Sequence, residues 1–569
     1  MKVSIGQHSI AGRKPTNQDA LGARIAEGPL LALKGIATAI ADGISSSRVS
    51  HIASEVAVKT FLQDYYATAE TWSTKASALR VLNAINGWLF SQSERNPQFI
   101  DRNKGYVCTF SAVVFKGQSA HVFHVGDSRV YRFNEEGLEQ LTQDHRLWVS
   151  QNESYLNRAF GMGEHCPVDY CEVPVKTGDI FITATDGVYE FLTPSLLSDY
   201  LARSPTDLQV TVESLVGHAL EQGSDDNLSL QLIRIDALAE RPTHTLNRHL
   251  QAAPVPTDLS AGSTFDGYDI LRTLHTGTRS HVFLAQDTST GKTVIIKTPG
   301  VDIASDDEAL ERFLTEEWIA RRLNNDHLLK ADLQDRPRNF LYTVYEYVEG
   351  QTLAQWARDN PHPSLETVRN IIEQVAKGLH ALHRKEMLHQ DLRPENIMIN
   401  LHGVVKIIDY GAVYVAGLEE SNPVPPDTHL LGTALYSAPE YFLGEPGSDA
   451  SDQFSLGVIA YFLLSGKYPY GPQVARAKTR SAQRRLRYQS LVHDDAEIPV
   501  WVDAALQKAV HPFPEKRYEQ LFEFIHDLRH PNPALDRKIF VPLIDRNPVA
   551  VWQGISFVLA LLLAWQLFH

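Results

Sequence analysis

Between Glu240 and Thr264 the chain reads ERPTHTLNRHLQAAPVPTDLSAGST, rich in Pro, Ser and Thr and without apolar periodicity, whereas strand-like and helix-like runs alternate on either side. A single hydrophobic core rarely grows beyond about 250–300 residues. A chain of 569 residues broken at this point is therefore expected to fold as two units, residues 1–240 and 265–530, joined by a linker over 241–264. A second lapse, HPNPALDRKIFVPLIDRN, marks a connecting segment over 531–547, and no internal repeat of solenoid or propeller period occurs.

Composition narrows the class. With 43% hydrophobic and 21% charged residues both units have enough apolar sequence for a core. The net charge of -15 argues against a nucleic-acid binder, which holds phosphate backbones with Lys and Arg, and suits acidic clusters that hold cations. Cys108, Cys166 and Cys171 have neither metal-ligand spacing nor the density of a disulfide scaffold, which predicts a reducing compartment. The N-terminal residues lack the basic-then-apolar pattern of a signal peptide.

The run PVAVWQGISFVLALLLAWQLF, residues 548–568, carries no charge, and its length matches the roughly 20 residues a helix needs to cross about 30 Å of hydrocarbon. It is expected to be a single transmembrane helix with Trp552 and Trp565 near its ends. Arg537, Lys538 and Arg546 precede it, which places both folded units on the cytoplasmic side.

In the first unit, apolar runs end repeatedly in a carboxylate: Asp19 in NQDA, Asp42 in GIATAIADG, Asp186 in DIFITATDG and Asp226 in GSDDN, with Asp127 in HVGDSRVYRF. A single Asp-Gly is ordinarily a turn. Several at strand exits in one domain project into a shared cleft, and hard divalent cations such as Mg²⁺ or Mn²⁺ take oxygen ligands of this kind. Two such ions can activate a water for in-line attack on a phosphoryl group.

The order of GRKPTNQDA, ADG, GDSRVYR, LTQDH, GDIFITATDG and SDDNLSLQLI resembles the metal-dependent protein phosphatase (PPM) family over residues 1–236. The resemblance implies two β-sheets flanked by helices, an αββα sandwich, and hydrolysis of phosphoserine and phosphothreonine. It implies that Asp19, Asp42, Asp186 and Asp226 hold two metal ions, assisted by the Gly43 carbonyl. Asp127 falls where some members place a third metal, or is a turn-stabilising Asp. The family's phosphate-gripping arginine corresponds to Lys14 with Arg13 adjacent, and either can serve, although Lys lacks the bidentate fork of Arg. Gln18 stands where many relatives have Glu, and Ile44 cannot act as a general acid.

Between Phe265 and about residue 530 stand VFLAQDTSTGKTVIIK, HQDLRPEN, KIIDYG, GTALYSAPEY, SDQFSLGV and HPFPEKRY. In this order they resemble the protein kinase family, which implies a bilobal fold, so that the whole is multidomain α+β. By resemblance, Lys297 contacts ATP phosphates and pairs with Glu316, Asp391 is the catalytic base with Arg393 beside it, and Asn396 and Asp409 hold Mg²⁺. Gly277, Val282, Glu346 and Val348 are implied to line the ATP site, and Glu440 and Arg517 to form a structural ion pair. Arg393 and Thr433 favour Ser/Thr substrates.

The phosphate-holding loop LHTGTRSHV departs from the family pattern. Only Gly277 remains of three glycines, with His275 and Ser280 in place of the others, which loosens or reshapes the backbone cradle for phosphates. Gln390 replaces the arginine that reads a phosphate on the activation loop, so activity without loop phosphorylation is implied. The sequence therefore predicts a membrane-tethered phosphatase and kinase using Mg²⁺ or Mn²⁺ and ATP, acting on phosphoproteins and on its own kinase unit. The alternatives are a phosphatase governed by an inactive kinase-like unit, or a non-enzymatic phosphoprotein scaffold. The basic strip over 474–488 reads as a surface helix, either a solvated face or a docking strip for anionic partners.

Overall fold

The computed structural model describes the chain apart from residues 96–103, 149–153, 204–206, 239–252, 257–258, 305, 333–335, 337, 421–433, 493–497, 536–551, 554, 557 and 560–569. Among the described residues the first unit contains twelve strands: β1 (Lys2–Ile10), β2 (Asp19–Ile25), β3 (Ile36–Asp42), β4 (Phe110–Lys116), β5 (Ser119–Val125), β6 (Arg129–Asn134), β7 (Gly137–Gln140), β8 (Arg146–Trp148), β9 (Ser154–Leu156), β10 (Asp169–Pro174), β11 (Ile180–Ala184) and β12 (Leu228–Ala237). Its helices are α1 (Gly28–Lys34), α2 (Ser50–Ala67), α3 (Thr74–Glu94), α4 (Asp186–Tyr189), α5 (Pro194–Ala202) and α6 (Leu208–Glu221).

Two antiparallel sheets, ordered β1-β12-β11-β6-β7 and β10-β5-β4-β3-β2, lie face to face. Side chains of both meet in one buried layer, Ile36, Val113, Phe115 and Val122 from one sheet and Val130, Phe181 and Ile233 from the other. Central strands buried on both faces explain why GIATAIAD and DIFITAT read as unbroken apolar runs rather than alternating ones. Phe61, Tyr65 and Leu82 of α2 and α3 cover the outer face of one sheet, and Leu197, Leu201, Val212 and Leu215 of α5 and α6 cover the other. The result is the expected αββα sandwich.

The second unit begins with the sheet β13 (Thr264–Phe265), β14 (Tyr268–Thr276), β15 (Ser280–Asp287), β16 (Thr293–Pro299) and β17 (Thr343–Glu346), backed by the helix Asp307–Arg322. The larger lobe gathers around the helix Leu365–His383, which Ser364 caps by accepting from the Thr367 N–H. Val368, Ile371, Ile372, Val375, Leu379 and Leu382 recur at helical spacing and bury one stripe against the helices Asp449–Ser465 and Leu521–Arg529.

Arg517 and Glu440 form a bidentate pair at 2.7 Å for both nitrogens, with side chains 0% and 3% exposed. Removing one partner leaves the other charged and buried, so Arg517→Met is expected to lower stability of the kinase unit by about 3–5 kcal/mol, read by chemical denaturation. A change below about 1 kcal/mol contradicts this assignment.

Three expectations need revision or restriction. The end of the proposed linker belongs to the small lobe, because Ala253 and Val255 pack against the cluster of Phe313, Leu314 and Leu341, and the Leu341 N–H donates to the Pro254 carbonyl at 2.9 Å. The strip 474–488 is not one surface helix: a 3₁₀ turn over Gly471–Arg476 and a single turn over Arg480–Gln483 replace it, with Val474, Ala477 and Gln483 buried. Anchoring apolar and amide side chains interrupt the run of charges. No helix among the described residues is long and apolar enough to cross a membrane. Of the expected span 548–568 only Trp552, Gln553, Ile555, Ser556, Val558 and Leu559 are described, all helical, and the rest lies outside the described residues, as does Thr433.

The two units touch. Leu33, at the end of α1, belongs to the same buried apolar cluster as Trp318 and Leu418 of the kinase unit.

Candidate active sites

Strand register brings the phosphatase-type carboxylates together. Asp19 and Asp42 are direct partners across β2 and β3. Asp186 follows β11 and Asp226 precedes β12, adjacent antiparallel strands in which Ala184 faces Leu230. The two sheets are stitched at this end by Thr185 Oγ1, which donates to Asp19 Oδ2 at 3.0 Å. Gly187 permits the close approach of the remaining pair, since a Cβ there would lie 2.1 Å from the Asn227 carbonyl oxygen and 3.3 Å from Asp226 Cβ. Gly43 is equally constrained, with the Gln18 carbonyl oxygen 2.8 Å from its Cβ position.

Concentrated negative charge dominates the electrostatics. Burial, with Asp226 nearby, pushes the Asp19 carboxyl up to about 6 against hydrogen bonds from Ser229 and Thr185. Burial and then Asp127 push Asp186 up to about 7 against the opposing Arg146. Asp42 is held well above the carboxylate range by burial and by Asp19, Asp186 and Asp127. Such a donor set calls for countercharge and, by its chemistry, fits hard divalent cations.

Side-chain cations partly supply that countercharge. Among the described residues no three Asp, Glu, His or Cys side chains are placed to hold one ion as they stand. Arg146 spans Asp127 (2.5 Å), Asp186 (2.7 Å) and Glu190 (3.1 Å), and Lys14 Nζ lies 3.2 Å from Asp226. Asp127, in the bend between β5 and β6, is thus joined to Asp186 through a guanidinium. Of the two candidate phosphate-binding cations, Lys14 points into the cluster, whereas Arg13 Nη1 reaches the Gly223 carbonyl at 3.5 Å.

Sequence reasoning missed two residues here. Arg146 was hidden because an arginine one position past LTQDH carries no signal of its own. Asn227 fixes the loop bearing Lys14 and Asp19: its Nδ2 donates to the carbonyls of Ala11 and Thr16 at 2.9 and 3.1 Å, and its Oδ1 accepts from the Gln18 N–H at 2.8 Å. Gln18 in turn donates to the Ser47 carbonyl and Ser50 hydroxyl, tying the loop to the start of α2.

The kinase-type residues also converge. Lys297 on β16 donates to both Glu316 oxygens at 2.7 and 2.8 Å, and lies 3.9 Å from Asp409. Burial works against the lysine charge, but Glu316 and Asp409 outweigh it and hold the pKa above the ordinary value. The hairpin of Ile397–Asn400 and Val405–Ile407 pairs Ile397 with Ile407, and the Ile408 N–H donates to the Asn396 carbonyl at 2.9 Å. Asn396 and Asp409 therefore emerge side by side. Asn396 Nδ2 orients Asp391 by donating to its Oδ2 at 3.0 Å, with the Arg393 guanidinium 3.7 Å away. Burial raises the Asp391 carboxyl above the usual range, and Arg393 opposes that.

Asp452, absent from the sequence-based site, anchors this loop. It accepts from the backbone N–H groups of His389 and Gln390 at 2.8 and 2.9 Å and faces His383 Nε2 at 2.9 Å. These bonds hold Gln390 at a φ of 62°, immediately before Asp391. Its place in SDQFSLGV was the available signal.

Around the nucleotide cleft, Val282 faces Lys297 across β15 and β16. Gly277 donates its N–H to the Ser280 carbonyl at 3.1 Å, and His275 Nε2 lies 2.9 Å from its Cβ position, so an imidazole overhangs the loop. Two of the expected lining side chains have other partners. The Glu346 carboxylate is occupied by Lys406 (2.7 Å) and the Lys330 N–H (2.9 Å), and its own N–H donates to the Lys330 carbonyl at 3.0 Å. The Val348 side chain is only 7% exposed and packs in the large-lobe cluster.

The protein phosphatase 2C family model matches residues 6–229, and the protein kinase domain model matches residues 268–535. The chain joins a PP2C-type phosphatase domain to a serine/threonine kinase domain. Among curated proteins it is 28% identical over 270 residues to the serine/threonine-protein kinase PrkC of Bacillus subtilis, covering 46% of this chain and 40% of that protein. It is 34% identical over 215 residues to PknA of Mycobacterium tuberculosis, covering 37% of this chain and 49% of that protein. The match thus spans less than half the length of these relatives. Among solved structures, the Mycobacterium tuberculosis serine/threonine phosphatase PstP/Ppp matches at 18% identity and a TM-score of 0.36, covering 41% of this chain and 99% of that one. The kinase domain of PknI from the same organism, a C20A mutant, matches at 25% identity and 0.37, covering 48% and 98%.

Proposed function

We propose that the chain is a bifunctional enzyme that removes phosphate from phosphoserine and phosphothreonine in its PP2C-type domain and transfers phosphate from ATP to protein Ser or Thr in its kinase domain. The observation that carries this reading is that both sets of charged residues assemble within one chain, the convergent Asp19, Asp42, Asp186 and Asp226 and the joined Lys297, Glu316 and Asp409. Mg²⁺ or Mn²⁺ would be held by Asp19, Asp42, Asp186, Asp226 and the Gly43 carbonyl in one domain, with Asp127 as a further ligand, and by Asn396 and Asp409 in the other. When bound, these ions supply charge neutralisation for phosphoryl oxygens and a reactive water.

The chain's own residues do the rest. Lys14 meets the substrate phosphate as a point charge. Ile44 offers no proton to the departing serine oxygen, which selects for leaving-group protonation by water. In the kinase domain Asp391 accepts the hydroxyl proton, and Lys297 orients the nucleotide phosphates with Glu316 fixing its position. Lys14→Ala is expected to raise the KM for a phosphopeptide about five- to tenfold, the loss of one charge-assisted contact, while Arg13→Ala changes it less than twofold by the same measure. The opposite order in steady-state assays refutes the placement.

The uncharged run 548–568 supports a membrane tether with both domains on the cytoplasmic face, and a shared anchor makes each domain a substrate of the other. The test uses the full chain with Mn²⁺ and labelled ATP. Asp42→Asn is expected to accumulate more label on the chain than the unsubstituted protein, and equal accumulation rejects self-erasure.

A further inference from the structure

The contact between the domains is built on charge as well as on apolar burial, and it falls on the stretch after Asp409, the segment before the catalytic loop and the helix that carries Glu316. Lys116, the last residue of β4, has a side chain 1% exposed; its Nζ donates to the Gly417 carbonyl at 2.6 Å and pairs with Glu420 at 3.2 Å. Both Glu420 oxygens also accept from the Thr74 N–H at 2.9 Å, at the first turn of the 21-residue α3. The Gly417 N–H donates to the Thr71 carbonyl at 3.0 Å. Gly417 and Glu420 lie in the stretch that leaves Asp409 toward Glu440.

Two more kinase elements are gripped by the same corner of the phosphatase. Glu386, immediately before the strand Met387–Leu388 that leads to the catalytic loop, accepts from the Ser73 N–H at 2.7 Å, and Trp72 Nε1 donates to the Arg384 carbonyl at 3.1 Å. Arg322, the last residue of the helix that carries Glu316, donates through Nε to Glu70 at 2.9 Å. A buried lysine demands a partner, and the partner here belongs to the other domain. At residue 390 the uncharged Gln offers no cation of the kinase's own for holding this stretch.

We propose that the PP2C-type domain is a positioning element of the kinase in the same chain: Lys116 and the start of α3 hold the stretch around Gly417–Glu420, and with it the Glu316 helix and the catalytic loop, in the arrangement that transfers phosphate. The contact lies at the opposite end of the sheet from the carboxylate cluster, because β3 begins at Ile36 beside Phe115 and ends at Asp42. Positioning is therefore separable from hydrolysis. The inference rests on the kinase activity proposed above.

The test compares the full chain with Lys116→Met and Gly417→Leu. Gly417 has no positive φ, but a Cβ there would stand 2.7 Å from the Glu70 carbonyl oxygen and 2.8 Å from that of Trp72, so leucine wedges the domains apart without straining the kinase backbone. Both variants are expected to lose about tenfold in kcat for transfer to a generic acceptor protein, with the KM for ATP and Mn²⁺-dependent phosphopeptide hydrolysis unchanged. Amide exchange over residues 411–420 is expected to accelerate. Unaltered kcat in both variants, or a loss that tracks lost ATP binding, overturns the proposal. If the unsubstituted chain transfers no phosphate, the bifunctional reading fails on its own, and the exchange measurement still decides: protection of 411–420 unaffected by Gly417→Leu overturns the positioning role.

Discussion

Asp42→Asn is expected to lower metal-dependent phosphopeptide hydrolysis by about 10³-fold, because it deletes a carboxylate at the centre of the cluster that would hold the divalent ions on which phosphoryl charge neutralisation depends. The same substitution is expected to leave the metal-free protein as stable as before or more so. Burial and three neighbouring carboxylates all oppose ionisation of Asp42, and asparagine has the same shape without the charge. The backbone bonds that fix the position, Thr109 N–H to the Asp42 carbonyl at 2.8 Å and the Asp42 N–H to Thr109 Oγ1 at 3.1 Å, do not involve the side chain. Hydrolysis within tenfold of the unsubstituted chain, or a clear drop in melting temperature without metal, contradicts the assignment of Asp42 as a ligand rather than a structural acid.

The second large effect is in the kinase. Asp391→Asn is expected to reduce phosphoryl transfer by about 10²–10⁴-fold through loss of the general base. Its hydrogen bond from Asn396 and its place on the loop held by Asp452 can be kept by an amide, so the KM for ATP is expected to change little. Lys297→Met provides the contrast: it removes the partner of the buried Glu316, and its signature is a higher KM for ATP. Equal rates for Asp391→Asn and the unsubstituted chain favour a kinase fold that serves only as a regulator.

Much of this was legible in the sequence because the decisive residues sit at the ends of strongly patterned elements. Asp42 and Asp186 close apolar runs as expected, whereas Asp19 opens β2 and Asp226 precedes β12, and strand pairing brings the four ends together. HQDLRPEN and KIIDYG likewise flank a short hairpin. What escaped were residues whose role depends on a distant partner: Arg146 bridging two aspartates, Asn227 pinning the loop before Asp19, and Asp452 receiving backbone N–H groups some sixty positions earlier. The strip 474–488 was misread as a surface helix because charge says nothing about which side chains the large lobe buries. The Lys116–Glu420 pair joins residues 304 positions apart, and no local pattern announces it.

The placement of Leu33 also bears on how this protein can be dissected. Separating the two units by a cut between residues 241 and 252 looks harmless on paper, yet it removes Leu33 from the buried cluster it shares with the kinase unit and orphans Glu420. A catalytic fragment made that way would carry a sticky flank and a slack loop. Its sluggishness would then be a wound from the scissors, not a property of the enzyme.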